Sequence, residues 1–168
     1  MIKQLTKLLT LFVFCACTGP GSKNDTSTVT SGNSSTTIST DSAALSKIID
    51  LTAFRPARIK FKYTFIDNSG QGQRLSVPGP SDSQLEALLV FDSASFEKLA
   101  QKYSGVDYAP PAFSKMNFNF DWLDAATRTE LLQSDSNYHG HPDLVFTAGP
   151  QTRLWLLKNK VLLIKSTL

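Results

Sequence analysis

The hexapeptide Tyr138-His139-Gly140-His141-Pro142-Asp143 holds both histidines of the chain. A neutral imidazole is a general base and a transition-metal ligand near neutral pH. In an extended segment residues two apart face the same way, so His139 and His141 could meet one metal. Asp143 or Asp135 would add a carboxylate, and a hydrolase using His139, His141 and that carboxylate is one functional reading. A metal centre also needs a third ligand in place and an open position for chemistry. Gly140 and Pro142 are turn formers, and a solvated loop accounts for the same residues. The balance favours the loop, with no catalytic set, metal or cofactor.

Other chemistry finds less support. There is no Gly-x-Ser-x-Gly elbow for a nucleophilic serine. Asp121 and Asp124 lie three apart, as a glycosidase pair could, but helix starts recruit Asp as caps. Gly70-Gln71-Gly72 lacks the third glycine, the lysine and the following helix of a phosphate loop. A hairpin turn is the better account.

Two stretches have the composition of contact surfaces. Arg58, Lys60 and Lys62 form a basic row that could meet anionic lipid or an acidic partner. A wet strand face is the better account, with the lysines opposing edge-to-edge pairing. Gly105 to Asn119 is a long connection carrying Tyr108, Pro110, Pro111, Phe113, Met116 and Phe118. Exposed there, Tyr108, Phe113 and Phe118 would suit partner recognition. Alternation of Met116, Phe118 and Phe120 fits an inward-packing strand instead.

These residues need elements to hold them. Ile59, Phe61, Tyr63 and Phe65 alternate with Lys60, Lys62 and Thr64, which predicts a half-buried strand over Arg58–Ile66. Arg74–Val77 is a returning strand. Gln84–Phe91 is a third, although its apolar run also fits a buried helical turn. Asp92 or Ser93 caps a helix whose Phe96, Leu99, Ala100 and Tyr103 share one face. Ser104-Gly105 ends it. A second helix runs Trp122–Gln133 with Asp121 as its cap. Asp143–Thr147 is a short strand. Arg153–Leu157 and Lys160–Ile164 form a hairpin about Lys158-Asn159, covered on both faces and so central. Strands and helices group rather than alternate. The expected fold is α+β, a mostly antiparallel sheet with two helices packed on one face.

The N-terminus differs from the rest. Lys3 and Lys7 precede Leu8, Leu9, Leu11, Phe12, Val13 and Phe14, a basic then apolar export pattern over residues 1–16. That apolar run is far shorter than the ~20 residues a membrane-spanning helix needs. Phe14-Cys15-Ala16-Cys17 resembles the lipobox of bacterial lipoproteins. Ala16 takes the small position and Cys17 the lipidated one, while Phe14 and Cys15 stand where the family usually has Leu and a small residue. An ordinary secretory cut after Ala16 would prefer a small residue at 14. The resemblance implies a diacylglyceryl thioether on Cys17, its partner being the lipid bilayer. It also implies export, with Thr18 favouring the outer membrane because the inner-membrane retention signal of enteric bacteria is Asp at that place.

Residues 22–42 contain 13 Ser or Thr among 21. With so little to bury, residues 18–42 are expected to be a flexible tether, and residues 43–168 the single globular domain. The chain carries 17 basic and 14 acidic residues. Setting Lys3 and Lys7 aside leaves 15 against 14, which argues against nucleic acid as a partner. The sequence therefore points to a membrane-anchored envelope lipoprotein, a non-enzymatic binding or assembly-support module with an envelope protein as possible partner.

Overall fold

The computed structural model describes residues 24–69, 81–106, 112–114, 120–133 and 137–167. The expected export segment 1–16, Cys17, Tyr108, Phe118, Asp135 and the expected strand Arg74–Val77 lie outside them.

Seven strands form one sheet: β1 Thr26–Ser31, β2 Ser34–Ser39, β3 Arg58–Ile66, β4 Asp82–Val90, β7 His141–Pro142, β8 Thr152–Leu157 and β9 Lys160–Ser166. Their spatial order is β1-β2-β3-β4-β9-β8-β7, and every pairing is antiparallel. β5 Ala112–Ser114 and β6 Asn137–His139 make a separate two-stranded sheet. Among the described residues three helices accompany them: α1 Ser42–Leu45, α2 Ser93–Tyr103 and α3 Ala125–Gln133.

The period-2 strand is found as expected, with Phe61 buried and Ile59 and Tyr63 packed against the core. The run expected over Gln84–Phe91 is strand rather than helical turn, with bounds Asp82–Val90. β8 and β9 join through Lys158-Asn159, where Asn159 takes φ 54°. Asparagine tolerates that left-handed conformation better than most residues. The Asn159 carbonyl accepts the Phe91 N–H at 2.9 Å, tying the turn to the end of β4. β9 is central, between β4 and β8.

Alternation along β4, β9 and β8 divides the core. Leu85, Ala87, Leu89, Val161, Leu163 and Leu154 face one side, where they meet Leu45 of α1 and Leu99 and Tyr103 of α2. Leu88, Leu162, Trp155 and Leu157 face the other, against Trp122, Leu123 and Leu131 of α3. The expectation of two helices on one face is corrected: α2 and α3 cover opposite faces. Central strands with apolar residues at successive positions require cover on both sides. Lys160 Nζ lies 2.6 Å from Glu130 Oε2, pinning α3 over the β8–β9 hairpin.

Three further expectations change. The segment assigned to a tether contributes β1 and β2, so residues 26–39 belong to the sheet. β2 pairs with β3 from Ser34↔Ile66 to Ser39↔Phe61. The domain thus begins near Thr26 rather than at residue 43. Serine and threonine failed as a signal of disorder here because Thr favours the pleated backbone, and its hydroxyls bond across strands. Thr28 Oγ1 and Thr37 Oγ1 are 2.9 Å apart, and Thr36 and Thr64 3.1 Å.

α3 starts at Ala125, and Asp124 rather than Asp121 caps it. Asp124 Oδ1 accepts the Thr127 N–H at 2.8 Å, which holds that carboxyl below its ordinary range. Asp92 caps α2 in the same way through Ser95 N–H at 2.9 Å. Finally, Asp143–Thr147 is not a strand. Its acceptor side chain captures nearby amides and curls the segment instead.

Candidate functional site

The histidines fall in different pairings. His139 lies in β6, its Cα opposite Ala112, whereas His141 lies in β7 opposite Leu154. Between them Gly140 passes over β8. A Cβ there would stand 3.3 Å from Arg153 Cβ and 3.5 Å from the Trp155 ring. Glycine in the His-x-His motif therefore has a packing context: a side chain would rest on the Trp155 ring at ordinary contact distance and crowd Arg153 Cβ by a few tenths of an ångström.

His141 is half-buried, with its ring edge-on to Tyr103 at 5.6 Å between centroids. Its Nδ1 is buried and finds no hydrogen-bond partner among the described residues. Burial pushes its pKa below the ordinary 6.5. Burial likewise pushes the Tyr103 phenol up to about 12. Both shifts favour the neutral forms.

Of the two carboxylates expected to join the histidines, Asp135 lies outside the described residues and Asp143 is committed elsewhere. Asp143 Oδ1 accepts from Val145 N at 3.0 Å and Phe146 N at 2.8 Å, and Oδ2 from Ala148 N at 2.7 Å. Its role is to shape the 143–148 loop. Among the described residues no three His, Cys, Asp or Glu side chains form a metal-holding group.

The depressed His141 pKa has a measurable sign. As pH falls through about 6.5, the unfolded chain takes up this proton before the folded one, so acid removes stability. Above that pH the group is neutral in both states and contributes no slope. His141→Gln is expected to flatten the acid limb between the ordinary and the lowered pKa. Urea midpoints at about pH 7.5 and 5.5 check it, and an unchanged slope would show that burial of the ring is not felt.

The basic row lies on the α3 face, and two of its members are engaged within the fold. Lys60 Nζ donates to the Trp122 carbonyl at 2.5 Å and lies 5.9 Å from the centre of that ring. Lys62 Nζ pairs with Glu86 Oε1 at 3.5 Å across the β3–β4 ladder. Glu86 is only 6% exposed, and its Oε2 accepts the Trp122 indole N–H at 2.5 Å. Gln84 Nε2 adds a bond to Oε1 at 3.1 Å. Lys60 and Lys62 thus belong to a structural network that docks Trp122. Arg58 remains exposed. Nor do the lysines protect an edge, because β3 is flanked by β2 and β4.

Of the aromatic candidates, Phe113 sits in β5 with its Cα opposite Tyr138 of β6. The 105–119 connection and the histidine motif therefore meet in one small ladder, which the sequence did not link. Two open depressions are also present. One, of about 440 Å³, is lined by residues that include Ser42, Asp50, Thr52 and Arg55. The other, of about 470 Å³, lies between the base of β1–β2 and Lys60. Neither gathers an acid, a base and a nucleophile.

The surface that sequence reasoning missed is the outer edge of β1, whose six residues are all exposed. Its signal was the Gly32-Asn33 pair between two Thr-rich runs, the pattern of a two-residue hairpin loop. Gly32 takes φ 59° there. No family model matches the chain, and no curated protein or solved structure matches it.

Proposed function

We propose that the protein is a lipid-anchored module of the bacterial envelope that works by binding or assembly support rather than by catalysis. The observation that carries the location is Phe14-Cys15-Ala16-Cys17 behind a basic and apolar leader. Two acyl chains on Cys17 give stable anchoring where one gives only marginal binding. The outer membrane, facing the periplasm or the cell surface, is the site favoured by Thr18. With β1 beginning at Thr26, the spacer between Cys17 and the sheet shrinks to residues 18–25. At no more than about 3.3–3.6 Å per residue, eight residues span under ~30 Å whatever their conformation, so the domain stays near the headgroups.

The preference for binding over hydrolysis is supported by Asp143. A base is oriented by a carboxylate that is free to face it, and both Asp143 oxygens already serve backbone amides. Cell fractionation tests the anchor. The native chain is expected in the membrane pellet, with Cys17→Ser in the soluble exported fraction. Persistence of the variant in the pellet would overturn lipidation at Cys17. Crosslinking of the native form against Cys17→Ser then reports which partners depend on the membrane.

A further inference from the structure

The register of the β1–β2 hairpin fixes which amides face outward. The Thr40 N–H donates to the Asp25 carbonyl at 3.0 Å, so residues 25 and 40 form a hydrogen-bonded pair. Alternation then turns the backbone groups of Asp25, Ser27, Val29 and Ser31 toward β2. Those of Thr26, Thr28 and Thr30 point away from the sheet. The close side-chain pairs agree in phase, since Thr26–Ser39 at 2.7 Å and Thr28–Thr37 at 2.9 Å are the non-hydrogen-bonded partners.

Among the described residues that edge lacks the usual protection. Thr26-Ser27-Thr28-Val29-Thr30-Ser31 carries no charge, proline or glycine, and Val29 is 69% exposed. Edge strands are normally shielded by lysine, proline, bulges or brevity. The opposite edge of the same sheet is shielded in that manner: β7 has two residues, one of them Pro142.

We propose that β1 pairs antiparallel with β1 of a second copy of this chain, joining two sheets about a two-fold axis at Thr28. This rests on the binding-module part of the reading above, and names its partner; the anchor is not required. In that register the outward groups of Thr28 meet those of the other Thr28, and Thr26 meets Thr30, so every outward amide is satisfied. Thr26 and Thr28 then continue the hydroxyl contacts they already make with β2. The chain itself shows the chemistry: β2, Ser-Ser-Thr-Thr-Ile-Ser, is nearly the composition of β1 and pairs with it along its whole length. Antiparallel pairing places the two Asp25 carboxylates at opposite ends of the joint, so no like charges face one another. An isologous contact of this kind closes at two copies.

Site-specific oxidation tests it on the full chain in native membranes, in a Cys15→Ala background with that background alone as control. Thr28→Cys brings two thiols to the axis, where opposed Cα atoms lie about 5.5 Å apart, within disulfide range. It is expected to give a disulfide-linked dimer. Ser31→Cys, far from the axis, is expected to give none. Adding Thr30→Pro to Thr28→Cys removes an outward N–H that the β2 ladder does not use, and should abolish the dimer while the far-ultraviolet spectrum is kept. Equal dimer yields from Thr28→Cys and Ser31→Cys would overturn the register and the proposal. A mixed adduct with another protein at Thr28→Cys would overturn self-pairing while leaving a binding module. No adduct of either kind would overturn β1 as a docking edge, and the distribution of the Cys17→Ser form reports separately on the anchor.

Discussion

Glu86→Ala is expected to destabilise the fold by about 2–4 kcal/mol, combining about 1–3 for an orphaned buried donor with roughly 1 for a partly exposed ion pair. Three groups converge on this carboxylate: the Trp122 indole at 2.5 Å, Lys62 at 3.5 Å and Gln84 at 3.1 Å. Truncation leaves the indole N–H buried without its acceptor and the Lys62 ammonium without its counter-ion. It also opens space beneath Trp122, which anchors the α3 side of the core. Glu86→Gln separates the two effects. The amide oxygen can still accept the indole N–H, so only the ion pair is lost. With Lys62 partly exposed, that loss is expected near 1 kcal/mol. Urea unfolding of the three forms checks the order native, Gln, Ala. Equal losses for Gln and Ala would mean that charge, rather than the Trp122 bond, carries the network. The paired replacement Glu86→Leu with Lys62→Met should recover only the ion-pair part of the loss, because apolar isosteres avoid desolvating charge but leave the Trp122 indole N–H without its acceptor.

The same network shows where sequence reasoning stops. Lys60 and Lys62 are recognisable as one face of a strand because period 2 is local and survives in the sequence. Their partners are not local. Trp122 lies in the segment leading to α3, and Glu86 sits inside an apolar run where its charge resembles an interruption. Only the β3–β4 register, Lys62↔Glu86, brings them together. Capping and hairpin chemistry are legible for the opposite reason. Asp92 with Ser95, and Lys158-Asn159 between two apolar runs, complete their interactions within a few residues. The β1–β2 hairpin is an intermediate case. Its turn is local, but hydroxyl-rich strands carry almost no hydrophobic alternation, so composition points to disorder while Thr β-propensity points to a sheet. The candidate site follows the same division. The proximity of His141 to Tyr103 depends on packing between β7 and α2, and Asp143 looks available until the backbone amides around it are known.

Asp143→Ala is expected to cost about 2–4 kcal/mol, because the bonds lost involve a charged acceptor and the donors stay partly buried. The carboxylate closes a loop that the backbone would not choose unaided. Thr147 sits at φ 51°, a left-handed conformation that a β-branched residue resists. Two residues beyond it, Gly149 takes φ 98° at no such cost. Next to Thr147, Phe146 is fully buried in the α1–α2 side of the core, and its carbonyl accepts the Asp50 N–H at 2.7 Å. Losing Asp143 therefore loosens a core aromatic and the segment after α1 together. Asp143→Asn keeps one acceptor oxygen for Val145 and Phe146 but turns an amide toward the Ala148 N–H, so its loss should fall between. Thr147→Gly relieves the strain and should stabilise the native chain by about 1 kcal/mol, offsetting the entropy that glycine adds to the unfolded state. It should also recover part of the Asp143→Ala deficit, since both act on one loop conformation and their effects are coupled. Urea midpoints of the single and double variants measure this. A loss below about 1 kcal/mol for Asp143→Ala, less than a single charged hydrogen bond contributes, would mean that the carboxylate does not hold the loop and is free to act as the partner of a base.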